Sequence, residues 1–173
     1  YSMDGASRGT MDNQTFSADG VLITINGVSA HPGFAKGHMQ SAIKIASELI
    51  EALPNDHLSP ETTEGMEGFI HPVTMNAVAE KVTLQFIIRD FEDAKLAEYE
   101  QLLENITKTV VAKYPGATYT FEVSEQYRNM KQVLDEHPQV VNNAMEAIKR
   151  AGMEPILGSI RGGTDGSQLS ALG

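Results

Sequence analysis

Few residues in this sequence could do chemistry, and their surroundings set them apart. Asp4 lies in YSMDG, at the point where a short extended stretch gives way to glycine. A carboxylate so placed can ligate zinc at roughly 2.0–2.2 Å. An Asp before Gly also forms a turn by bonding to its own backbone, so both roles stay open. His31 heads His-Pro-Gly directly after a β-branched run. An imidazole fixed at a strand end can donate to a developing oxyanion, and it can equally be a turn residue whose ring is satisfied locally. Arg89 stands in FIIRDF, where its guanidinium could grip a carboxylate through two parallel bonds or pair with the nearby Asp90 or Glu92.

Arg161–Gly166, RGGTDG, is the most informative string. Glycines after a strand let a ligand approach the backbone, and an arginine at the mouth suits an anion. Its N–H groups could also form an anion nest, or the segment could be a plain turn. It has neither the GxxxxGK[ST] nor the GxGxxG spacing of nucleotide sites. With no Cys in the chain and no Ser in a GxSxG elbow, thiol catalysis and that form of serine catalysis are excluded. His38 and His57 show no ligand spacing, and His71 and His137 each precede a proline.

The elements that must position these residues follow from periodicity. Val21–Ala30 is β-branched and reads as a strand ending at His31. Met39, Ile43, Ala46, Ile50 and Leu53 recur at helical spacing, predicting a helix from about Ala35 to Pro54. Phe69–Val78 and Lys81–Phe91 read as a hairpin, with Leu84, Phe86 and Ile88 on the face opposite Arg89. Leu96, Tyr99, Leu103, Ile106 and Val110 predict a second helix, and Ala117–Val123 a fourth strand. The order β-α-β-β-α-β is that of the ferredoxin-like α+β unit: a four-stranded antiparallel sheet with two helices on one face. Residues 1–20 read as a strand end and connector. Residues 131–173 read as a helix capped near Asp135 or Glu136, a strand at Pro155–Ile160 and the RGGTDG loop. Neither flank can bury an apolar face alone. The expectation is a domain at 21–130 inserted in a second domain represented by 1–20 and 131–173, with both chain ends reading as cut.

Composition narrows the partners. Thirteen Lys and Arg against twenty-three Asp and Glu give a net charge of −10. No basic face is available to release phosphate counterions, which argues against nucleic acid and anionic membrane surfaces. No apolar run approaches the ~18 residues that a membrane span needs. The absence of Cys fits a reducing compartment, and the cytoplasm is the expected location.

Six strings, YSMDG, VSAHPGFAKG, TTEGMEGF, FIIRDF, HP before a helix, and IRGGTDGSQLS, occur in one order over nearly the whole chain. Together they resemble the aminotripeptidase (peptidase T) branch of the dizinc peptidases that include aminoacylases and carboxypeptidases. The resemblance implies that Asp4 binds one of two zinc ions. It implies that His31, on a dimerising lid domain, reaches into the partner's active site. Arg89 would help close the lid on a tripeptide. Arg161 would meet the substrate's C-terminal carboxylate, with Gly162 and Gly163 shaping the pocket wall. The other ligands and the general-base glutamate of such a site would lie outside these residues, so the chain alone is expected to hold no dizinc centre and to be inactive. The alternatives are a dipeptidase, carboxypeptidase or deacylase of the same kind, or a non-enzymatic self-association domain.

Overall fold

The computed structural model of the chain describes residues 1, 3, 7–170 and 172. Its elements are β1 (Thr10–Thr15), β2 (Ser17–Asn26), a 3-10 turn (Pro32–Phe34), α1 (Ala42–Glu51), β3 (Phe69–Ala77) and β4 (Lys81–Asp90). They continue with α2 (Asp93–Val111), β5 (Thr118–Tyr127), α3 (Lys131–Glu136), α4 (Pro138–Arg150), β6 (Ile156–Ile160) and α5 (Asp165–Ser170).

Four strands form an antiparallel sheet in the order β3-β4-β2-β5, the ferredoxin-like arrangement that the sequence implies. Alternation decides which face is covered. Val21, Ile23 and Ile25 of β2 and Val82, Leu84, Phe86 and Ile88 of β4 are all buried and point to one side. There they meet Ala42, Ile45, Ala46 and Leu49 of α1 and Leu96, Leu103 and Val110 of α2 in one apolar cluster. Burying each such aliphatic side chain contributes about 1.5–3 kcal/mol. Both helices therefore lie on one face, and the residues that alternate with the core line the other.

In the first half of the chain three features differ from the sequence reading. The first helix begins at Ala42, not Ala35, because Val28 and Gln40 exchange two backbone hydrogen bonds of 2.8 Å, which take the Gln40 amide and carbonyl that a longer helix would need. Its buried face is Ala42, Ile45, Ala46 and Leu49, so Ile43, expected inside, is 40% exposed. Strand β2 starts at Ser17, earlier than Val21, since Ser17–Gly20 pair with Asp90–Ile87 on β4. Polar β1, read as a connector, is a strand because it pairs in parallel with β6, Thr10 opposite Ile156. The two flanks thus share a small sheet. On α4 the apolar residues Val140, Val141, Ala144, Met145 and Ile148 are only half-buried.

Where the chain passes between the two sheets, polar side chains clasp the two crossing segments. Asn129 Oδ1 accepts from the Thr15 amide at 3.0 Å and from the Lys131 amide at 3.0 Å. Its Nδ2 donates to the Phe91 carbonyl at 3.0 Å, and its own amide donates to Ser17 Oγ at 2.8 Å. Ser17 Oγ in turn donates to Asp93. All of these buried groups are satisfied, as burial requires. Below them Asp19, 3% exposed, pairs with Arg128 at 2.8 Å.

Glu100 on α2 faces this cluster. Burial, and then the adjacent Asp19 carboxyl, push its pKa up to about 7, against the opposing pull of Arg128. The folded state therefore binds a proton that the unfolded state releases near pH 4.5, so this group's contribution to stability falls as pH rises from about 4.5 to 7. The groups acting on it are Asp19 on β2 and Arg128 just after β5, and Arg128 is itself paired with Glu125. Denaturant melts of Glu100→Gln across this window should show a flatter pH dependence and a gain in stability at pH 8. An unchanged pH profile would rule out this assignment.

Candidate functional site

Because Leu84, Phe86 and Ile88 point into the core, strand periodicity puts Arg89 on the opposite, uncovered face of β4. Its Nη1 donates to the Asp19 carbonyl at 3.2 Å and the Ile88 carbonyl at 2.9 Å, and its Nη2 to Gln126 Oε1 at 2.8 Å. The guanidinium lies 5.5 Å above the Tyr127 ring. Desolvation draws its pKa below the ordinary value, opposed by Tyr127 and Asp19. Burial likewise raises the Tyr127 hydroxyl, partly offset by Arg89. Asp90 and Glu92, close in sequence, are not its partners: Asp90 instead accepts from Tyr99 at 3.0 Å.

The RGGTDG loop reaches this same end of the sheet. Gly163 lies against Tyr127, so close that a Cβ there would come 2.8 Å from Tyr127 Cζ, whereas one on Gly162 would meet nothing within 4 Å. Arg161 sits over Phe16 at 5.2 Å and Phe69 at 5.9 Å, and Phe69 is the β3 partner of Arg89. Its Nη1 donates to the carbonyls of Gly65 at 3.2 Å and Glu67 at 2.9 Å, and its Nη2 to Thr63 Oγ1 at 2.9 Å. Among the described residues no carboxylate side chain pairs with either arginine. Two guanidinium groups on aromatic rings, neither in a direct ion pair among the described residues, make this end of the sheet receptive to an anion.

His31 lies elsewhere. It follows the far end of β2, the end where Asn26 pairs with Lys81 and Thr118, whereas Arg89 and Tyr127 pair near Ala18. Ten residues of strand at about 3.3 Å each separate the two ends by about 30 Å. The His31 ring is exposed, and its Nδ1 accepts from the Gly33 amide at 3.1 Å. A neutral ring so bonded carries its proton on Nε2, which leaves that nitrogen as a donor. Phe34 beside it, 5.5 Å ring to ring, is 81% exposed.

The structure thus brings together Arg89, Arg161, Gly162 and Gly163, and sets His31 apart from them. Asp4 lies outside the described residues. Among the described residues no three His, Asp or Glu side chains gather as a metal ion would need, so they do not fit a metal centre. Sequence reasoning missed Tyr127, Gln126, Phe16 and Thr63. Thr63 and Phe69 both stand inside TTEGMEGF, a string conspicuous in the sequence with no role attached.

Comparison with known proteins bears on this arrangement. A family described as the peptidase dimerisation domain matches residues 13–118. The chain is 39% identical over all 173 residues to Peptidase T of Clostridium novyi, and spans 42% of that protein's length. An aminopeptidase from Bacillus cereus superposes with a TM-score of 0.79 at 22% identity, covering 97% of this chain and 44% of that one. A tripeptidase from Staphylococcus aureus gives a TM-score of 0.79 at 21% identity, with 96% and 44% covered. Among the described residues no helix is long and apolar enough to cross a membrane.

The two loop glycines make opposite forecasts. Gly163→Ala should displace the Tyr127 ring and with it the Arg89 stack, costing about 1–3 kcal/mol in urea unfolding. Gly162→Ala should stay within about 0.5 kcal/mol. Equal effects at both positions would mean that the loop does not pack as described.

Proposed function

This chain belongs to the peptidase dimerisation-domain family, and we propose that it serves a zinc-dependent aminopeptidase releasing the N-terminal residue from tripeptides. In this reading residues 21–130 are the lid, which pairs two copies and closes over substrate, and residues 1–20 and 131–173 belong to the catalytic domain. Shared motifs support the tripeptidase assignment, as does similarity to a relative called Peptidase T. The acidic, Cys-free chain suits a cytoplasmic enzyme acting on small peptides, with no nucleic-acid or membrane partner.

One observation carries the reading: the anion-receptive arginines and the exposed histidine stand at opposite ends of one sheet. A tripeptide offers a free carboxylate, and Arg161 on its glycine loop is suited to take it. Arg89, held by Gln126 and Tyr127, presents a rigid cation at the closing surface. His31 cannot reach the same substrate within one chain, so we assign it to the site of a second copy. There its Nε2–H would donate to the oxygen that gains charge as the scissile carbonyl is attacked. Zinc, when bound, supplies Lewis-acid polarisation and an activated water. We place Asp4 among its ligands and the remaining ligands beyond this chain.

In the full-length enzyme, His31→Ala should lower kcat by about 10²–10³ while KM changes little. A donor aimed at an oxyanion interacts with charge present only near the transition state. The melting temperature should hold, since the ring is exposed. Unchanged turnover with a loss of stability would reduce His31 to a turn residue.

A further inference from the structure

TTEGMEGF lies about a hundred residues before RGGTDG, yet much of it is turned toward Arg161. The guanidinium takes the Thr63 hydroxyl and the Gly65 and Glu67 carbonyls as acceptors, and it lies over the Phe69 ring. The loop is built for this. Gly65 has φ +55°, the left-handed conformation that favours glycine. The Glu67 amide donates to the Glu64 carbonyl at 3.0 Å, and Glu67 Oε2 accepts from the Glu64 amide at 2.9 Å, closing a tight turn. Thr63 Oγ1 donates to the Ser59 carbonyl at 2.8 Å, which aims its lone pairs at Arg161. Among the described residues these three bonds leave two of the five guanidinium N–H donors, enough to grip a carboxylate with two parallel bonds.

We propose that Thr63, with the Gly65–Glu67 turn, is a positioning residue that fixes Arg161 so that its two remaining donors meet the C-terminal carboxylate of a peptide substrate. The clamp and the arginine lie in different segments, one before β3 and the other after β6. Selectivity for a free C-terminus is then set jointly by the lid and the loop that follows β6. This inference rests on the carboxylate-binding reading of Arg161 given above.

The test compares kcat/KM for a free-acid tripeptide and its C-terminal amide in the full-length enzyme. Arg161→Met should abolish the preference for the acid. Thr63→Val should lower that preference by about tenfold, the size of one charge-assisted hydrogen bond, mainly by raising KM for the acid. Thr63→Ser, which keeps both bonds, should restore it, and Thr63→Ala takes the place of Val should that variant misfold. If Thr63→Val slows acid and amide equally, its role is structural and the inference fails. If the preference rises, the clamp withholds Arg161 and the inference fails in the opposite sense. If Arg161→Met itself leaves the preference intact, the carboxylate reading of Arg161 is what falls.

Discussion

The clasp around Asn129 is the contact on which the placement of everything else depends. Its side-chain oxygen accepts from the amides of Thr15 and Lys131, and its amide group holds the Phe91 carbonyl, so three segments distant in sequence converge on one side chain. Removing one partner of such a buried network costs about 1–3 kcal/mol because the others are left unsatisfied. The clasp sits where the chain enters and leaves the four-stranded sheet. It therefore determines how the β1–β6 pair, and the loop that follows β6, stand against Arg89 and Tyr127. Gly163 can lie on the Tyr127 ring, and Arg161 on Phe16 and Phe69, because the two crossing segments are fixed a few residues away.

The same geometry keeps His31 from its own chain's arginines. Strand β2 is central in the sheet, paired along its length to β4 and β5, and cannot fold back on itself. The strands left with unpaired edges are β3 and β5. Val73 and Met75 on β3 and Val123 on β5 are exposed there, as befits a domain whose family pairs with a second copy. In the proposed enzyme dimerisation is then part of the chemistry, since a site would be complete only with the neighbour's His31.

Much of this was legible in the sequence, and the rest was hidden for identifiable reasons. The alternation from Val82 to Ile88 placed Arg89 correctly on the uncovered face, and the spacing of Leu96, Leu103 and Val110 located α2 and its buried side. The β-α-β-β-α-β order sufficed to indicate the sheet. Helix α1 was misjudged because a two-residue bridge, Val28 with Gln40, outweighs local helical spacing. Strand β1 was invisible because TMDNQT has no apolar rhythm and becomes a strand only through β6. Thr63 and Asn129 carry no local mark at all. Their meaning lies in bonds across 98 and 114 residues, which a reading by periodicity does not reach.

Subunit complementation shows whether one site is shared between two copies. Full-length subunits carrying His31→Ala would be mixed with subunits carrying Arg161→Met, and their exchange confirmed by native mass spectrometry. In a heterodimer one site then has an intact Arg161 of its own and an intact His31 from its neighbour, while the other site has neither. At tripeptide concentrations well below KM, where both parents are strongly impaired, activity should return as heterodimers form. If exchange is complete and activity stays at the level of the parents, His31 does not serve its neighbour and the shared site is refuted.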